Sequence, residues 1–175
     1  MKKKFVIDFD GKGLEELQKG VEEYARWVTE KTNELLQRLA ERGVEIADAG
    51  FQSAVYDGTN DFSVSFEERS DKVKAVVAVG ATVLFVEFGT GIVYPDNHPE
   101  AAQNGMIRGS YGDGHGKQRT WGYYGEPGSN GEVREKKKGG TVVLTHGNPA
   151  NMPMYNAVKQ LEQDFTEIAQ GVFRY

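Results

Sequence analysis

The sequence contains no cysteine in 175 residues, which excludes a disulfide scaffold and thiolate metal sites. It also lacks any apolar run long enough to cross a membrane. Met1-Lys2-Lys3-Lys4 imitates the positive head of a secretory signal, but Asp8 and Asp10 interrupt the next residues before an apolar core can form; the default location is the cytoplasm of the producing cell. Excess positive charge is missing too. Lys and Arg number 21 against 26 Asp and Glu, a net charge of −5, which gives no reason to expect sequence-specific nucleic-acid binding.

Catalytic and metal signatures are equally sparse. The three histidines, His98, His115 and His146, are far apart and have no metal-ligand spacing. The loop positions of His98 and His115 suit solvation better than ligation. Asp57, Asn60 and Asp61 miss the spacing of a calcium loop and read as the turn before a strand. The glycine cluster from Gly109 to Lys117 resembles a phosphate loop only superficially. Tyr111 stands where the first Gly is needed, and Gln118 stands where Ser or Thr must follow the Lys. Asn148-Pro149-Ala150 matches a channel signature but has no membrane spans around it. No Ser is set in a recognisable His and acid arrangement. The expectation is a protein without catalysis, cofactor or metal.

What is present is a set of amphipathic segments in one domain, 1–175, a length that suits a single core. Phe5 to Phe9 reads as a short strand. Leu14, Leu17, Val21, Tyr24, Val28, Thr32, Leu35 and Leu39 then recur at a mean spacing near 3.6, one face of a long helix. Glu22–Arg26 and Glu34–Arg38 stand four apart in the favourable order on its other face. Gly43 marks a break, and Val44 to about Tyr56 forms a second helical piece. Phe62, Val64 and Phe66 alternate with polar residues as a half-buried strand. Val73, Ala75, Val77 and Val79 form its antiparallel partner.

Ala81 to Phe88 is a short apolar piece. From Gly89 to Gly140 the chain carries 13 of its 22 glycines, a segment far longer than ordinary connections. Residues 119–124 and 141–145 suggest a second hairpin, with Trp121, Tyr123 and Tyr124 packing a small sheet. Glu135 to Lys138 reads as a solvated hairpin tip. Met154, Val158, Leu161, Phe165, Ile168 and Val172 mark a final helix, with Asn151 as its N-cap and Pro153 in its first turn. These elements predict an α+β fold: a small antiparallel sheet packed by a long N-terminal helix and a C-terminal helix, with a long Gly-rich loop.

Three blocks in order carry a resemblance. The first is Asp10-Gly11-Lys12-Gly13-Leu14 leading into the long helix. The second is Leu84-Phe85-Val86-Glu87-Phe88-Gly89-Thr90-Gly91. The third is Gly147-Asn148-Pro149-Ala150-Asn151-Met152-Pro153-Met154-Tyr155 before the last helix. Together they resemble the tail-component family of long-tailed bacteriophages and prophages, the head–tail joining or tail completion proteins. Ile92 to Gly140 is the least matched part. The resemblance implies a structural protein of the virion at the head–tail junction, made in the bacterial host cytoplasm. It implies a ring of copies, commonly hexameric in the particle and compatible with a monomer in isolation, that contacts tail-tube, tail-terminator or connector proteins and no membrane.

On that reading Phe88, Gly89, Thr90 and Gly91 form one structural joint and Pro153, Met154 and Tyr155 another. The long loop with Trp121, Tyr123 and Tyr124 is the expected interface. Two alternatives stay open: a nucleic-acid-binding accessory domain using Lys136 to Lys138, and a hydrolase with its site around His98 and His115.

Overall fold

A computed structural model describes residues 4, 6, 11–56, 58, 60–91, 97–107, 120–123, 127 and 132–174, with Trp121 and Tyr123 described by their backbone alone. Of the expected strand at 5–9 only Val6 is described, and it is exposed; Tyr124, His115 and the Gly109–Lys117 cluster lie outside the described residues.

The chain orders as α1 (Gly11–Gln52), β1 (Ser63–Ser70), β2 (Val73–Val79), α2 (Val83–Phe88), β3 (Trp121–Tyr123), β4 (Glu132–Glu135), β5 (Thr141–Thr145) and α3 (Pro153–Val172). The α+β class expected from the sequence is the one observed, with two small antiparallel sheets instead of one.

α1 is a single helix of 42 residues, about 63 Å long at 1.5 Å per residue. It does not break at Gly43, contrary to the expectation from its sequence. Gly43 is buried where three elements converge, and a Cβ there would stand 2.8 Å from Val76 Cγ2 and 3.1 Å from Leu161 Cδ1. The glycine is needed for close approach, and the helix runs through it. Val44 onward is therefore the last part of α1, which stops at Gln52. Glu34 and Arg38 pair at 2.6 Å, whereas Glu22 accepts from the Gln18 amide and not from Arg26.

β1 and β2 form the expected hairpin, with Phe66 opposite Val76 and a register shift between Glu68 and Ser70. Val64 and Phe66 are half-buried while Ser63, Ser65 and Glu67 face solvent. This alternation puts one face of β1 toward α1. Phe62 stacks on Phe51 at 5.2 Å and fixes the hairpin to the last turn of the helix. Asp61 closes the hairpin base by accepting from the Ala81 and Thr82 N–H groups and the Thr82 hydroxyl.

The second sheet has the order β3-β5-β4, all antiparallel. β3 and β5 are the two strands expected at 119–124 and 141–145. β4 was not expected, because Glu-Val-Arg-Glu has no apolar alternation. Lys136 to Lys138 do form a hairpin tip: Lys136 N–H donates to Gly140 O and Gly139 N–H to Lys136 O. Gly139 and Gly140 have φ of 84° and 90°, a region that costs other residues strain.

α3 runs antiparallel beside α1, from Pro153 against Gly50, through Leu161 against Gly43, to Phe173 against Trp27. Arg42 reaches across to Asp164 at 3.1 Å. The buried residues of α1 are Ala40, Gly43, Ala47 and Phe51, all in its last 13 residues. Residues 11–26 extend past the end of α3.

Candidate functional site

The two blocks that carry the resemblance are 50 and more residues apart in sequence, yet they meet in space. α2 ends at Phe88, and Gly89 turns the chain with φ 80° and ψ 176°, a region in which only glycine is unstrained. A Cβ at Gly89 would stand 2.8 Å from both Ala150 N and Asn148 O. Thr90 N–H donates to Asn148 O at 2.8 Å, and Asn148 N–H donates back to Thr90 Oγ1 at 2.8 Å. Gly147 (φ 100°) lies directly against Thr90 O and Gly91. Asn151 N–H and Met152 N–H continue the contact onto Val86 O and Glu87 O.

At the centre is Glu87, which is 6% exposed. Its Oε2 accepts from Met154 N–H at 2.8 Å, and its Oε1 from Tyr155 N–H at 3.0 Å. These are two of the unpaired donors in the first turn of α3. The expected cap, Asn151, does not cap. Its side chain instead bridges to Val55 N–H and Val55 O. Met152 occupies the cap position in a left-handed conformation (φ 57°) without a side-chain bond. A carboxylate from α2 therefore supplies the cap from outside the helix, where the helix dipole also favours negative charge. Pro153 sits at the start of α3 as expected.

The third partner of Glu87 is His98, whose Nε2 lies 3.0 Å from Oε1. Glu100 N–H donates to His98 Nδ1 at 3.0 Å. Nδ1 is thus an acceptor, and Nε2 is the nitrogen that donates to Glu87 Oε1. The imidazole is 5% exposed, wedged between the rings of Phe88 (4.5 Å) and Tyr155 (5.3 Å). The expectation of a solvated His98 is wrong. With both ring nitrogens hydrogen-bonded within the chain, the pair is a latch joining α2, residues 98–106 and α3.

Of the expected joint residues, Phe88, Gly89, Thr90, Gly91, Pro153, Met154 and Tyr155 are brought together here. Trp121 and Tyr123 lie in β3, where they pair with Thr145 and Val143 of β5. His146 is exposed and bonds Thr120 Oγ1 at 2.8 Å. Among the described residues no cluster of three or more His, Asp or Glu could hold a metal ion, and no helix is long and apolar enough to cross a membrane. Glu87, His98 and Asn148 were missed as joint residues in the sequence. The signal that marks Glu87 is a charged residue inside an otherwise apolar helix, Val-Leu-Phe-Val-Glu-Phe.

Outside the latch some large apolar side chains are exposed, among them Leu14 (55%) and Val21 (48%) on α1 and Val158 (53%) and Phe165 (48%) on α3. Compared with known family models, curated proteins and solved structures, the chain matches none.

Proposed function

We propose that the chain is a structural protein of a tailed phage or prophage virion, placed at the head–tail interface and acting through ring assembly and contacts with tail or connector proteins. The observation that carries this reading is the union of the Phe88–Gly91 and Gly147–Tyr155 blocks in one buried latch. The residues behind the family resemblance are thereby given a common structural purpose. The exposed apolar side chains Leu14 and Val21 on α1 and Val158 and Phe165 on α3 are available for contacts of this kind.

The latch holds α3 against α2, and α3 in turn holds the C-terminal half of α1, so the contact surfaces are presented on rigid elements. In this reading the protein is made in the bacterial host cytoplasm and resides in the particle. Negative-stain microscopy of particles made without this protein tests it. Separated heads and tails are expected; joined, infectious particles would contradict it.

A further inference from the structure

We infer that Asn104 is a site of spontaneous deamidation, gated by the turn that carries His98 into the latch, and that the product loosens this turn. The inference does not depend on the head–tail reading.

Residues 98–106 form overlapping turns that end in the bonding pattern of a helix C-cap. Ala101 N–H donates to His98 O, and Asn104 N–H donates to Glu100 O. Met106 N–H then reaches back to Ala101 O at 2.8 Å, and Gly105 N–H to Ala102 O at 3.2 Å. With Gly105 at φ 71°, this is the Schellman arrangement, in which a left-handed glycine follows the last residue of the turn. Asn104 stands directly before that glycine, and both are exposed. Its side chain completes the cap, with Nδ2 donating to Glu100 O at 2.9 Å.

The cap thus sets Asn before Gly, the pair least hindered for cyclisation, because glycine has no side chain beside its nitrogen. The Gly105 nitrogen gives its proton to solvent base and attacks Asn104 Cγ. A new N–Cγ bond forms, the Cγ–Nδ2 bond breaks, and the side-chain nitrogen leaves as ammonia. Water then opens the cyclic imide at one carbonyl or the other, leaving an aspartate or an isoaspartate at position 104. Other described asparagines are placed less favourably. Asn148 precedes Pro149, whose nitrogen has no proton to lose. Asn33 and Asn156 lie within helices. Asn60 and Asn151 are followed by residues with side chains, and their amides are bonded to Phe51 O and Val55 O.

The turn sets the rate. While Gly105 N–H is held by Ala102 O, the nitrogen cannot swing onto Asn104 Cγ. Cyclisation and hydrogen exchange at this amide need the same bond opened, so one local opening equilibrium governs both. The product then acts back on the turn. Once oxygen replaces Nδ2, the donor to Glu100 O becomes a carboxylate, which only accepts. Isoaspartate also adds a methylene to the main chain inside the cap and draws Gly105 and Met106 out of register with Ala102 and Ala101. The same turn presents Glu100 N–H to His98 Nδ1 at 3.0 Å, so its loosening reaches the latch.

The test is to age the full-length protein in mildly alkaline buffer beside a synthetic peptide of residues 101–107, with peptide mapping by mass spectrometry. Asn104 is expected to deamidate more slowly than the peptide, by the factor that protects the Gly105 amide from hydrogen exchange in the parent. Asn104→Gln should lose the product at this position. Asn104→Asp, which carries the charge of one product, is expected to speed exchange of the Glu100, Ala101 and Met106 amides by about tenfold or more, with residues 40–52 as protected as in the parent. The aged parent, separated from the intact form by its added charge, gives the same comparison should Asn104→Asp not fold. An Asn104 that stays intact beyond the time set by that protection factor overturns the inference. So does unchanged exchange across 98–106 in the aged protein.

Discussion

The two halves of α1 have similar sequence character and opposite surroundings. From Ala40 to Gln52 the helix is pressed between β2 and α3, so closely that Gly43 and Gly50 have no room for a Cβ. In the arm from Gly11 to Trp27 the same amphipathic pattern continues, yet none of its residues is buried. A helix rarely holds an isolated length on propensity alone; most helical stability comes from packing of the apolar face. The difference teaches that the core is built around the latch and the α1–α3 crossing, while the arm is a surface held out by them. Arm and core therefore answer differently to substitution.

The largest effect is expected at Glu87. Replacing it with Ala removes two charge-assisted bonds to the first turn of α3, each about 1.5–3 kcal/mol, and the proton acceptor of His98. Urea unfolding of Glu87→Ala should show a loss of at least about 3 kcal/mol, with Glu87→Gln retaining part of it. Gly89→Ala comes next. Its backbone conformation and its 2.8 Å approach to Ala150 N and Asn148 O should cost about 1–3 kcal/mol, read as a lower thermal midpoint.

A substitution on the arm is expected to do little to the fold. Leu14→Glu should change the unfolding free energy by less than about 0.5 kcal/mol, as for other exposed positions, and a loss comparable to that of Gly89→Ala would show that the arm belongs to the core.

The smallest effect is in acid. Asp61 is held below the usual carboxylate range, chiefly by the Ala81 N–H and then by the Thr82 hydroxyl. A depressed value means stability that is fully present above the ordinary Asp range, near about 4, and lost as pH falls through the lower folded value. The stability difference between the parent and Asp61→Asn should therefore shrink below about pH 4 in acid unfolding curves.

Periodicity made much of this fold legible. The alternation of Val64 and Phe66 gave the hairpin, and the stripe from Met154 to Val172 gave α3, since each element repeats its burial pattern locally. Gly43 misled because glycine is a weak helix former, and the reason for keeping it, the approach of Val76 and Leu161, lies on other elements. Glu87 was hidden for a related cause. Its partners Met154 and Tyr155 are 67 and 68 residues away, and a carboxylate that caps a remote helix leaves no local spacing. β4 escaped because its four residues are all exposed and an edge strand without an apolar face has no periodic signal.

The contrast between core and arm is tested most directly by amide hydrogen exchange on the parent protein. Residues 40–52 are expected to be protected at the level of global unfolding. Residues 14–26 are expected to exchange much faster. Protection of 14–26 that is as strong as that of 40–52 would contradict the account.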